Sequence, residues 1–76
     1  MKIQVLFFAG VREAMGKDRV PLTLPENATV ADAWSRVGGE RRQSKVLCAV
    51  NEAYADPTRL LKEGDVVAFF PPVTGG

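Results

Sequence analysis

Apolar and polar residues alternate from the start of the chain. In residues 2–8, Ile3, Val5 and Phe7 fall on one face of an extended strand, and Lys2, Gln4, Leu6 and Phe8 on the other. The first set is purely apolar and predicts a core-facing side. Phe8 shares the face of Lys2 and Gln4, so an exposed aromatic is expected there unless a second layer covers it. Residues 19–24 repeat the period, with Val20, Leu22 and Leu24 on one face, and Pro21 marks an edge strand because an interior strand would lose a hydrogen bond at proline. Residues 9–16 between them read as a connection with one helical turn closed by Gly16, followed by a polar turn at Lys17 and Asp18. An antiparallel strand pair is predicted.

The period then changes. After a loop at residues 25–28, Thr29 and Asp32 have the spacing of a capping box, with Asp where Glu or Gln is usual. Val30, Ala33, Trp34 and Val37 recur at helical spacing, and Gly38-Gly39 ends the helix, the first glycine being free to take the left-handed position. Trp34 is expected to pack this helix on the core rather than to bind a ligand. Residues 40–45 form a polar, net-basic stretch, read as a solvated connection, with a docking patch for an acidic partner as the weaker alternative.

Residues 46–50 are almost continuously apolar and predict a central strand, with Cys48 an inert buried thiol since nothing near it in sequence would lower its pKa. Residues 51–54 leave it in a turn, 56–61 suggest a short helical or 3₁₀ turn plugging the open end of the sheet, and 62–65 make a tight turn. The last strand, residues 66–70, puts Val67 and Phe69 on one face and Val66, Ala68 and Phe70 on the other. The order is that of an α+β fold, with one main helix packed on a mixed sheet of four to five strands. With the last strand parallel to the first, this is the ubiquitin-like β-grasp arrangement, expected over residues 1–70 and followed by an extended C-terminal tail at 71–76.

Pro71-Pro72 stop the sheet, since proline offers no ladder N–H and holds φ near −65°. The tail beyond is expected to be solvated, disordered past Pro72 in the free protein, and to reach roughly 15–20 Å from the body at about 3.3 Å per residue. Gly75 and Gly76 have no side chain and can thread a channel too narrow for other residues. The plainer reading of such an end is a frayed terminus.

Composition narrows the chemistry. The chain has 76 residues, 46% of them apolar, and one cysteine, which allows a single unstapled domain and fits a reducing, cytoplasmic setting. A net charge of +1 gives no global field for nucleic acid or an anionic membrane, and no apolar run approaches the roughly 20 residues of a membrane span. The first residues are already strand-like and lead into no signal-peptide pattern. Without histidine, neither a Cys/His zinc site nor a Ser-His or Cys-His nucleophile pair can be built, and no phosphate-binding glycine loop occurs. Any chemistry at this chain must draw its catalytic groups from partners.

Three patches carry a family resemblance: Leu6-Phe7-Phe8-Ala9-Gly10-Val11-Arg12-Glu13, then Ala49-Val50-Asn51, and above all Gly64-Asp65-Val66-Val67-Ala68-Phe69-Phe70-Pro71-Pro72-Val73-Thr74-Gly75-Gly76. With these the chain resembles the small subunits of molybdopterin synthase, the sulfur carriers of molybdenum cofactor biosynthesis. Residues 17–45 match only in element order. The resemblance implies a non-catalytic sulfur-carrier subunit of a sulfurtransferase complex. The Gly76 carboxylate would be adenylated by a ubiquitin-activating-like adenylyltransferase that uses ATP and magnesium, then converted to a thiocarboxylate by a sulfur donor protein. The tail, with Gly75 next to the acyl carbon, would enter the large subunit and give its sulfur to cyclic pyranopterin monophosphate. The synthase would hold two small and two large subunits. No cofactor would be bound by this chain, and neither nucleic acid nor membrane would be a partner.

The resemblance also implies partner-binding roles for Phe8, Arg12, Tyr54 and Phe70 around the tail root, and for Pro71, Pro72, Val73 and Thr74 along it. The competing roles are core packing for Phe8 and Phe70 and a solvated surface charge for Arg12. Competing functions are a sulfur carrier for thiamine thiazole synthesis, a ubiquitin-like protein modifier, and a binding module with a loose end. The Phe-Phe-Pro-Pro segment favours the molybdopterin branch.

Overall fold

The computed structural model describes residues 1–39 and 45–72; residues 40–44 and Val73, Thr74, Gly75 and Gly76 lie outside the described residues. The elements are β1 (Lys2–Phe7), α1 (Ala9–Met15), β2 (Arg19–Thr23), α2 (Val30–Arg36), β3 (Leu47–Val50), β4 (Ala53–Tyr54) and β5 (Val66–Phe70). The five strands form one sheet in the order β2-β1-β5-β3-β4, in which β1 and β5 are parallel and the other pairs antiparallel. This is the ubiquitin-like β-grasp, with the last strand at the centre.

The alternation in β1 does what its side chains require. Ile3, Val5 and Phe7 are buried, and Val67 and Phe69 of β5 join them from the next strand. The Phe7 and Phe69 rings stack with centroids 6.4 Å apart. Val11 of α1 and Val30 and Ala33 of α2 close the core from the helical side. Pro21 sits on the edge strand as expected. Leu24 and Met1 exchange both backbone hydrogen bonds, at 2.8 and 2.7 Å, so by antiparallel alternation the Pro21 nitrogen points away from β1 and costs the ladder nothing.

The capping box of α2 is complete. Thr29 Oγ1 accepts from the Asp32 N–H at 3.2 Å, and Asp32 Oδ2 accepts from the Thr29 N–H at 2.8 Å. Gly38 follows the last turn with φ of 80°, a left-handed conformation that other side chains adopt at a cost. Gly39 is needed for a different reason, since a Cβ there would overlap the Trp34 ring and the indole fits only because the side chain is absent. Trp34 does pack on the core, against Phe69 at 4.6 Å, although it remains half-buried.

Four expectations need correction. The connection after β1 is helical and closed by a left-handed Gly16 as expected, but it is longer than one turn: α1 has seven residues and is held at its start by the extended Phe8, whose C=O accepts from the N–H groups of Val11 and Arg12. Residues 56–61 are not helical. Asp56 Oδ1 accepts from both the Thr58 N–H and hydroxyl, and this local turn outcompetes a helix. The segment then lends its carbonyls to α2: Arg59 C=O accepts from the Val30 N–H and Pro57 C=O from the Ala31 N–H, satisfying donors that every helix start leaves open. Leu61 alone turns inward as the plug. Third, β3 begins at Leu47 and lies one strand from the edge, not at the centre. Fourth, Asn51 and Glu52 adopt φ of 51° and 72°, a primed two-residue turn that folds Ala53 and Tyr54 back as β4.

Candidate functional site

The two helices cover only one side of the sheet. Because strand residues alternate, burying Val5, Phe7, Val67, Phe69, Cys48 and Val50 turns Leu6, Val66, Ala68, Phe70, Leu47 and Ala49 outward. These outward positions are apolar too, and among the described residues no second layer lies on them. The register sets Arg19, Leu6, Ala68, Ala49 and Tyr54 in one line across all five strands. Two alanines in the middle make that line shallow, with Leu6 and Tyr54 standing at its sides. In the next row Phe70 lies opposite Leu47, and on its other side Phe8 follows Phe7, the partner of Phe69; the Phe8 N–H donates to the Phe69 C=O at 3.1 Å.

The predicted aromatics therefore converge. Phe8 is 47% exposed, so the open-face reading holds for it, while Phe70 is half-buried and leans on Tyr54, with ring centroids 5.9 Å apart. Tyr54 is the most open of these at 76%. Such a patch of large exposed apolar side chains on one face is characteristic of surfaces that bind other proteins. Pro71 and Pro72, both half-buried, continue from β5, so the chain leaves the sheet between Phe8 on one side and Leu47 on the other. Arg12 is exposed on α1 and lines a groove of about 230 Å³ beside Leu6 and Phe8. The roles expected of Val73, Thr74, Gly75 and Gly76 fall outside the described residues.

One set of positioning residues escaped the sequence reading. Asn51 Oδ1 accepts from the Val66 N–H at 3.0 Å, and Asn51 Nδ2 donates to Asp65 Oδ1 at 3.0 Å. Asp65 is 5% exposed; its Oδ2 accepts from the Lys62 N–H at 2.8 Å, and its C=O from the Gln4 N–H at 3.0 Å. This clip joins the β3–β4 turn to the start of β5. The signal was an Asn directly after one strand and an Asp directly before another, in two of the patches that carry the family resemblance.

Cys48 does not belong to this face. Its side chain is buried and its thiol donates to the Ala55 C=O at 3.1 Å. Burial, with the Asp56 charge as a second cause, raises its pKa above the ordinary 9.0, which disfavours the thiolate. Among the described residues no helix is long and apolar enough to cross a membrane.

The chain matches the ThiS family over residues 5–76. It belongs to that family. Among the relatives of this ThiS-family chain is the molybdopterin synthase sulfur carrier subunit of Escherichia coli, 41% identical, with 97% of this chain and 99% of the relative covered. Among solved structures, a putative molybdopterin converting factor subunit 1 from Pyrococcus furiosus superposes with a TM-score of 0.81 at 33% identity, covering 96% of this chain and 99% of that one. The small archaeal modifier protein 1 of H. volcanii gives 0.82 at 25% identity, covering 95% and 98%.

Proposed function

We propose that this protein is the sulfur-carrier subunit of a molybdopterin synthase, working in the cytoplasm with its C-terminal glycine as the reactive end. The observation that carries the reading is the position of the tail root. It continues the central strand of an apolar sheet face that no second layer covers among the described residues, so a partner that docks on that face meets the root of the tail. Near end-to-end similarity to a relative named as such a carrier supports it.

The chemistry proposed for Gly76 follows from its carboxylate, a resonance-stabilised anion and a poor electrophile. An adenylyltransferase would join it to AMP from ATP, releasing pyrophosphate. A persulfide sulfur would then attack the acyl carbon and expel AMP; reductive cleavage of the resulting acyl disulfide by a thiol would leave the thiocarboxylate. In the synthase large subunit, the thiocarboxylate sulfur would pass to the pterin precursor, and two such transfers build the dithiolene. The body of this chain docks and the tail delivers; the partners hold the catalytic groups.

The test is a transfer assay with protein bearing a preformed C-terminal thiocarboxylate, the large subunit and cyclic pyranopterin monophosphate. Molybdopterin is expected from the thiocarboxylate form and not from a chain lacking Gly75 and Gly76. No product in the presence of a competent large subunit would overturn the assignment. A second reading, conjugation to lysines, is supported by the likeness to the archaeal protein named as a modifier. It predicts isopeptide-linked adducts when the activating enzyme and ATP are present.

A further inference from the structure

Beside the apolar face lies a groove of about 230 Å³ lined by Leu6, Phe7, Phe8, Arg12, Asp18 and Arg19. Its backbone is held on every side. The Arg12 N–H donates to the Phe8 C=O at 3.2 Å, and the Arg12 C=O accepts from the Gly16 N–H at 3.0 Å. The Phe7 N–H donates to the Asp18 C=O at 2.9 Å, which fixes Arg19 as the first residue of β2, opposite Leu6. The side chains are a different matter. Arg12 and Arg19 are exposed, and neither guanidinium has an ion pair or hydrogen bond to a described residue; Asp18 pairs with neither. Two cations and one anion give the groove a local charge of +1 (two Arg less one Asp), over a floor made by Leu6 and Phe8.

We propose that Arg19 adds a second guanidinium beside Arg12, for which the family resemblance already implies a partner-binding role, so that the two clamp one carboxylate of the protein that docks on the sheet face, an Asp or Glu side chain set beside an apolar residue. This rests on the carrier reading above and adds to it a determinant on the edge strand. The form of the groove selects the ligand. Arginine presents planar donors that match a carboxylate, and two of them unpaired at one site leave donors that no described residue accepts. The apolar floor is continuous with the docking face through Leu6, which stands in the line Arg19, Leu6, Ala68, Ala49 and Tyr54. A partner lying along that line therefore meets a cation at the β2 end and an aromatic at the other. The clamp fixes the direction in which the partner lies, and so which way the tail root faces. It acts on docking and leaves the transfer chemistry untouched.

The test is binding of the full-length chain to the large subunit by titration calorimetry at low and moderate salt. Arg19→Ala is expected to weaken binding by about tenfold and to flatten the salt dependence, as a charge at the rim of an interface does. Arg19→Glu should weaken it further, and Arg19→Lys should recover part of the loss. Arg59→Ala, which removes an exposed charge from the loop that caps α2, controls for net charge and should bind as the parent does. Because one carboxylate would serve both guanidiniums, the combined loss in the Arg12→Ala/Arg19→Ala double variant should differ from the sum of the single losses. Parent binding with Arg19→Ala indistinguishable from Arg59→Ala in affinity and salt slope overturns the clamp alone. A parent chain that does not bind the large subunit overturns the carrier reading, and the clamp with it.

Discussion

Replacing Asn51 should separate two costs that the structure superposes at one residue. Its side chain makes two hydrogen bonds, one to the Asp65 carboxylate and one from the Val66 amide, while its backbone sits at φ of 51°. A bond to a charged group contributes about 1.5–3 kcal/mol and a neutral one about 0.5–1.5 kcal/mol. Asn51 is itself exposed, which places the sum near the low end, at about 2 kcal/mol. Asn51→Gly loses the bonds but keeps an unstrained turn, so about 2 kcal/mol is its expected destabilisation. Asn51→Ala loses the same bonds and adds about 1–2 kcal/mol for a Cβ in the left-handed region. A domain of this size has a total stability of only about 4–11 kcal/mol, so both losses are substantial. In urea, with a slope of about 1 kcal/mol per molar, the midpoints should fall by about 2 M for the glycine variant and by about 1–2 M more for alanine. Equal midpoints for the two variants would refute the strain assigned to the turn. A loss under about 0.5 kcal/mol for Asn51→Gly would refute the clip.

Three further outcomes follow from other parts of the fold. Gly39→Ala should displace the Trp34 indole, since the new Cβ would overlap the ring; a loss of about 1–3 kcal/mol and a shift in tryptophan emission are expected, and an unchanged spectrum would count against the close approach. Stability should fall as pH rises through and above 9.0, because the unfolded Cys48 thiol ionises there while the buried one still holds its proton; Cys48→Ala should remove that part of the alkaline decline in a denaturation series. Tyr54→Ala, at a side chain 76% exposed, should change stability by less than about 0.5 kcal/mol, yet weaken binding of the synthase large subunit severalfold; unchanged binding would remove Tyr54 from the docking face.

Much of this fold was legible because β1, β2 and α2 obey local rules that no tertiary contact overrides. The alternation through Ile3, Val5 and Phe7, the edge proline and the Thr29–Asp32 box each say one thing, and the structure agrees. The misses have separate causes. Residues 56–61 have their shape set by the Asp56–Thr58 turn and by what α2 needs at its start, a partner distant in sequence. The Asn51–Glu52 turn lacks the glycine that usually announces a primed hairpin, so β4 went unseen. The rank of β3 was misjudged for a more informative reason. Leu47 and Ala49 make it look like a strand buried on both faces, but among the described residues no second layer lies on its outer face. An apolar pattern that exceeds what the core needs marks a surface that another protein can cover. The exposure of Phe8 and the convergence of Tyr54 and Phe70 were readable in part from strand parity; the Asn51–Asp65 clip required knowing which turns meet.

The most direct measurement is the intact mass of the protein after incubation with ATP, the activating enzyme and a sulfur donor, run beside a chain lacking Gly75 and Gly76. A mass gain equal to the exchange of one oxygen for sulfur, located on Gly76 by fragmentation and absent from the truncated chain, is the expected result. An unchanged mass with an activating enzyme that loads a known carrier under the same conditions would contradict the assignment of this chain as a sulfur carrier.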